Sequence, residues 1–109
     1  MKKYPLVSVI VNCHNGEKFL RECINSIIKQ KYKNWELIFW DNLSTDKSSY
    51  IINSFKDKRI RVYRSKTFTS LYKARNLAIK KTRGKYVCFL DTDDTMISNK
   101  IFKQVKFLE

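Results

Sequence analysis

The sequence predicts an α/β fold in which a mainly parallel four-stranded sheet carries helices on both faces. Three observations predict it. Short apolar, β-branched runs alternate regularly with segments whose apolar residues recur at helical spacing. Polar residues gather just beyond the ends of those runs. With 43% hydrophobic residues, two Gly and one Pro in 109 residues, the composition is that of one small domain with a buried core.

Val7 to Cys13 (VSVIVNC) is an apolar run suited to a central parallel strand. Phe19, Leu20, Cys23, Ile24, Ile27 and Ile28 then form one face of an amphipathic helix, with Asn15 as its expected N-cap. Trp35 to Trp40 (WELIFW) is a second strand ending at Asp41-Asn42. Ser44 or Thr45 is expected to cap a second helix, whose apolar face is Ile51, Ile52 and Phe55. Ile60 to Tyr63 reads as a short third strand with basic outward positions. Leu71, Ala74, Leu77 and Ala78 mark a third helix, with Gly84 as its left-handed stop. Tyr86 to Leu90 is the fourth strand and runs into Asp91. Ile97, Ile101, Phe102, Val105 and Leu108 give a last amphipathic helix. Strands alternating with helices imply Rossmann-like βαβ units with right-handed crossovers.

No apolar run approaches the roughly 18 residues that span a bilayer. The basic start and apolar run of MKKYPLVSVIVNCHN resemble a signal peptide superficially. The run is short and β-branched and lacks a small-residue cleavage site, so it reads as a strand and the protein is expected in the cytoplasm. Cys13, Cys23 and Cys88 are odd in number and lack CxxC spacing, which indicates buried reduced thiols rather than disulfides or zinc. The net charge of +13 predicts attraction to polyanions: nucleic acid, an anionic membrane face or phosphorylated ligands. The basic residues read as spread along the chain, without a helix-turn-helix, zinc-finger or RNP pattern, which argues against nucleic acid.

Ligands of open α/β sheets bind at the carboxyl ends of the strands. Those ends hold Asn12, His14 and Asn15, then Asp41 and Asn42, then Asp91, Asp93 and Asp94, so three segments converge on one crevice. Three of the chain's ten acidic residues lie between Asp91 and Asp94. Two charges 4 Å apart repel by about 4 kcal/mol at an effective dielectric near 20, so the cluster calls for a cation. A divalent metal there can bridge to phosphate oxygens. Helix capping is the alternative, but one Asp suffices for that.

Other loops are excluded by residue type. An EF-hand starting at Asp91 requires Gly at Met96 and Glu at Phe102. Neither GxGxxG nor GxxxxGK[ST] occurs. FLDTDDTM does match the DxDxT of haloacid-dehalogenase phosphatases, with Asp91 as nucleophile and Asp93 as acid/base. That motif normally ends the first strand of its domain, whereas here it follows three βα units with only fifteen residues after Asp94.

Five segments, in order and at family-like spacing, resemble glycosyltransferase family 2, the GT-A fold. They are VIVNCHN at 9–15, SIIKQ at 26–30, IFWDNLSTDKS at 38–48, ARNLAI at 74–79 and GKYVCFLDTDD at 84–94. The resemblance covers nearly the whole chain. It implies that residues 1–109 are the nucleotide-sugar-binding part of a GT-A domain truncated at its C-terminus. The acceptor site and general base are then expected beyond Glu109.

By the same resemblance, Asp93 ligates Mg or Mn between the donor phosphates, and Asp94 is a second ligand or a cap. Asp91 hydrogen-bonds the ribose or sugar, Asp41 and Asn42 meet the base, His14 stands where the family's Tyr packs on it, and Asn12 and Asn15 also bind the nucleotide sugar. Arg75 supports the acidic loop or the diphosphate. For His14 a structural role at a strand end is the alternative, and for Arg75 a surface ion pair. Two positions depart from the family pattern: P-x-Y-N reads Asn12-Cys13-His14-Asn15, and the second Asp of V-D-D is Asn42. An amide both donates and accepts, so Asn42 does not itself select uracil. The expected donor is a UDP-sugar and the acceptor a glycan or lipid-linked hydroxyl. The basic surface suits peripheral attachment to the inner membrane face. The competing readings are the phosphatase and a non-catalytic basic nucleic-acid-binding module.

Overall fold

The computed structural model describes residues 4–109; Lys2 and Lys3 of the basic start lie outside them. The elements are β1 (Val7–Cys13), α1 (Glu17–Ile28), β2 (Trp35–Asp41), α2 (Ser48–Ser54), β3 (Ile60–Arg64), α3 (Leu71–Ile79), β4 (Tyr86–Phe89) and α4 (Lys100–Leu108). The strands form one parallel sheet in the order β3-β2-β1-β4. The chain winds outward from β1 to β3 and then returns to the far side of β1. The order therefore reverses between β1 and β4, and a crevice opens at their carboxyl ends.

Both faces are covered, as the apolar runs require. Val7, Val9, Val11 and Cys13 join Trp35, Leu37 and Phe39 under α1, α2 and α4, which contribute Leu20, Cys23, Ile24, Ile27, Ile52, Ile101 and Val105. Alternate residues Ile10, Ile38 and Trp40 face Ala74 and Ala78 of α3 on the other side. The two alanines let α3 lie close on the sheet.

A polar knot pins β1, β2 and the turn before β4. The nearly buried Glu36 accepts bonds from Ser8 Oγ (2.5 Å), Arg83 N–H (2.6 Å) and Arg61 (2.7 Å). Burial raises the Glu36 pKa, but these donors outweigh it and hold the carboxyl below its ordinary value.

Several local expectations are corrected. Asn15 is not the N-cap of α1; that position is Gly16, and no side chain caps it. Asn15 instead adopts a left-handed φ of 54°, which Asn tolerates. Lys47, not Ser44 or Thr45, occupies the N-cap of α2, and Asp46 accepts the Ser48 N–H at 2.9 Å in place of a cap side chain. Gly84 has no positive φ and lies beyond the end of α3. It is needed for close approach, since a Cβ there would come within 2.6 Å of Ser8 N on β1. The last helix begins at Lys100, after Ile97, because residues 91–99 form a turn-rich loop. Cys88 is only half-buried; Cys13 and Cys23 are buried, and all three are free thiols. The outward arginines of β3 are not simply solvated: Arg61 reaches Glu36 and Arg64 reaches Asp41, each at 2.7 Å.

The charge is segregated rather than spread. Residues 56–85 hold twelve Lys and Arg against one Asp, a net +11 of the chain's +13. Among the described residues, no helix is long and apolar enough to cross a membrane.

Candidate functional site

The acidic loop follows β4 and is fastened from beneath by α1. Gly16 lies so close to Thr92 that a Cβ would stand 3.1 Å from the threonine Oγ1. The Cys23 thiol donates to the Asp91 carbonyl at 3.6 Å. Burial, then Cys13 and the acidic side chains, push that thiol up to about 12, so it stays protonated. One turn on, Ser26 Oγ accepts the Met96 N–H at 3.0 Å. Gln30 is fully buried, donates to the Ile97 carbonyl (2.6 Å) and accepts the Ile101 N–H (3.1 Å). The Ser26 and Gln30 of SIIKQ thus anchor the chain immediately after the acidic residues.

Held this way, Asp91, Asp93 and Asp94 each offer a carboxylate oxygen within 4.8 Å of the others, all exposed. Three hard oxygen donors fit Mg or Mn and leave coordination positions for phosphate oxygens. Arg75 on α3 stands 3.7 Å from Asp91 and 5.4 Å above the Phe89 ring, so a cation already borders the cluster.

The second part of the site is a pocket of about 190 Å³ between the ends of β1 and β2 and the start of α3. Asn12, His14, Asn42, Phe68, Thr69 and Ala74 are among its walls. His14 Nδ1 is 2.7 Å from the Asn42 carbonyl, which can only accept, so Nδ1 carries the proton. The ring packs edge-on against Phe68 at 4.7 Å. Asn12 Oδ1 is buried without a hydrogen-bond partner.

The remaining expected residues are engaged in building this pocket. Asp41 is 2% exposed; its carboxylate accepts from Arg64 (2.7 Å) and Ser44 N–H (2.9 Å). The Asn42 amide donates to the Thr69 carbonyl (2.7 Å) and accepts the Thr69 N–H (3.0 Å). Asn15 Oδ1 accepts from Thr45 N–H (2.7 Å) and Asp46 N–H (3.2 Å), tying the β1 and β2 loops together.

Sequence reading missed Phe68 and Thr69, which lie in a loop without periodicity, and the supporting roles of Gly16, Arg64 and Thr92. A larger cavity, about 410 Å³, lies elsewhere, between β4 and α4, with largely apolar walls including Cys88, Ile101, Val105 and Leu108. It has no convergent set of polar groups, so the smaller pocket beside the carboxylates is the better site.

Comparison with known proteins decides the affiliation. Residues 8–109 match the family model "Glycosyl transferase family 2". The chain belongs to that family. It is 42% identical over 106 residues to an uncharacterized glycosyltransferase of Haemophilus influenzae, covering 95% of this chain and 42% of that protein. It is 36% identical to the Escherichia coli UDP-Glc:alpha-D-GlcNAc-diphosphoundecaprenol beta-1,3-glucosyltransferase WfgD, covering 94% of this chain and 41% of the relative. The crystal structure of S. aureus TarS 1-349 in complex with UDP superposes with a TM-score of 0.88 at 31% identity, covering 94% of this chain and 31% of that one. The GT-A expectation for the fold therefore holds for this glycosyl transferase family 2 chain, which spans less than half the length of these relatives.

Proposed function

We propose that this chain binds a nucleoside-diphosphate sugar with a divalent cation, as the donor half of an inverting glycosyltransferase. The observation that carries the reading is the juxtaposition at the β1/β4 switch point: three mutually close carboxylates beside a pocket walled by Asn12, His14 and Phe68. In this reading the base enters the pocket against His14 and Phe68, beside Asn12. Asp41, Asn42 and Asn15 hold the pocket walls rather than contact the base through their side chains. The diphosphate lies toward Asp91, Asp93 and Asp94, with Arg75 adding positive charge.

Asp93 and Asp94 would hold Mg or Mn, and the bound cation would neutralise charge developing on the diphosphate leaving group. The residues of this chain bind and orient the donor; the acceptor site and the base that deprotonates the acceptor hydroxyl are not among the roles proposed for them. UDP is the favoured nucleotide, supported by the UDP complex of the 31%-identical TarS. The WfgD name supports a lipid-linked acceptor and hence work at the inner membrane face.

Calorimetric titration with UDP, GDP and dTDP, with and without Mn, tests the donor claim. Metal-dependent binding that prefers UDP is expected. Equal, metal-independent binding of all three would refute it.

A further inference from the structure

Residues 56–85 gather on one side of the fold, as edge strand β3, helix α3 and the turn before β4, and they carry nearly all the net charge. The acids that this side meets are taken by arginines: Asp57 by Arg59, Glu36 by Arg61, Asp41 by Arg64 and Asp91 by Arg75. Lys85 pairs with Glu109 at 2.8 Å, and other lysines are left over. Among the described residues, Lys66, Lys73, Lys80 and Arg83 are exposed and enter no ion pair.

Lys73 on α3 and Lys80 at its C-cap neighbour exposed apolar side chains of that helix. Lys73 and Lys80 are seven residues apart, and beside them Tyr72 (78% exposed) and Ile79 (40% exposed) repeat the same spacing on the outer face. Next to the helix, Arg64, Lys66, Lys73 and Thr67 border a cleft of about 300 Å³ with Trp40 in its wall.

We propose that this β3–α3 face docks on a bilayer of anionic phospholipid, with the lysines and the cleft meeting lipid phosphates while Tyr72 and Ile79 enter the headgroup boundary. Charge complementarity selects an anionic partner. The exposed isoleucine favours lipid over nucleic acid, because an aliphatic side chain gains nothing from a phosphate backbone but does gain from the acyl boundary. The inference rests on the donor-site reading only for its purpose, namely bringing that site to a lipid-linked acceptor. Docking can be measured without any nucleotide.

The test is sedimentation of the intact protein with vesicles of phosphatidylcholine alone or mixed with phosphatidylglycerol, at low and high salt. Binding only to the anionic vesicles, weakening with salt, is expected. Each lysine near such a surface contributes about fivefold, so the triple variant Lys66→Gln, Lys73→Gln, Lys80→Gln should bind on the order of a hundredfold more weakly. A matched triple on the α1 side, Lys18→Gln, Lys29→Gln, Lys31→Gln, removes the same net charge and should stay close to wild type. Far-ultraviolet circular dichroism reports that both triples are folded, and UDP titration without vesicles reads the donor claim separately.

Failure to bind anionic vesicles would overturn the proposal. So would equal losses in the two triples, which would mean net charge alone, or tighter binding to duplex DNA or single-stranded RNA than to the vesicles.

Discussion

Gln30, buried at the end of α1, accepts the Ile101 N–H at 3.1 Å and so fixes the helix after β1 to the helix after the acidic loop. Its amide also reaches Ile97, so a single side chain satisfies two main-chain groups that are 71 and 67 residues away in sequence. An unmade buried bond costs about 1–3 kcal/mol. The Gln30→Ala variant is therefore expected to lose about 2–4 kcal/mol in denaturant unfolding and to bind Mn–UDP more weakly than wild type even where it is fully folded. Unchanged affinity would mean that the clasp does not position the carboxylates.

The Asn42 clasp on Thr69 needs one donor and one acceptor. Asn42→Asp restores the family's usual residue but turns an oxygen toward the Thr69 carbonyl, where the amide now donates. Loss of that bond should destabilise the chain by about 1–2 kcal/mol in thermal melts and loosen the wall of the pocket. A variant as stable as wild type would show that the loop reorganises freely.

Glu36 predicts an acid-sensitive fold. Its folded-state pKa lies below the ordinary value, so the unfolded chain binds more protons wherever the two differ. Stability from this group is fully present above the ordinary carboxylate range and is lost as pH falls through the folded-state value. Urea midpoints should drop below about pH 4.5, and that portion of the drop should vanish in Glu36→Gln. Removing the side chain altogether, as in Glu36→Ala, strands Arg61 and the Arg83 N–H at a cost on the order of 3 kcal/mol.

At Gly84 an added methyl meets the backbone Ser8 N and Leu6 O as well as the Ser8 Oγ, so a side-chain rotation alone cannot make room. Gly84→Ala should push β4 away from β1 and cost about 1–3 kcal/mol, read as faster amide exchange at Leu90, whose N–H bonds Ile10.

The strands and helices were legible because their cause is local: β-branched runs such as VSVIVNC and the helical spacing of Leu20, Cys23, Ile24 and Ile27 encode burial directly. The acidic residues were legible because carboxylates that crowd together imply a cation. What these side chains bond to was not. Asn15 looks like a cap, yet it serves a loop thirty residues away, and nothing near Thr69 announces its pairing with Asn42. Gly84 was read from its place after a helix, whereas its cause is a neighbour on β1. Ser26 and Gln30 were recognisable only as a pattern; their purpose requires knowing that residues 96–101 pack over α1.

In the proposed function Asp93 holds a divalent cation together with the donor diphosphate. Electron paramagnetic resonance of Mn, titrated with UDP, tests it most directly. The free-ion signal should disappear when UDP and the wild-type chain are both present. In Asp93→Asn, metal affinity should fall by more than about tenfold, since even outer partners of a metal site cost that much. Equal loss of the free signal in wild type and Asp93→Asn would contradict it.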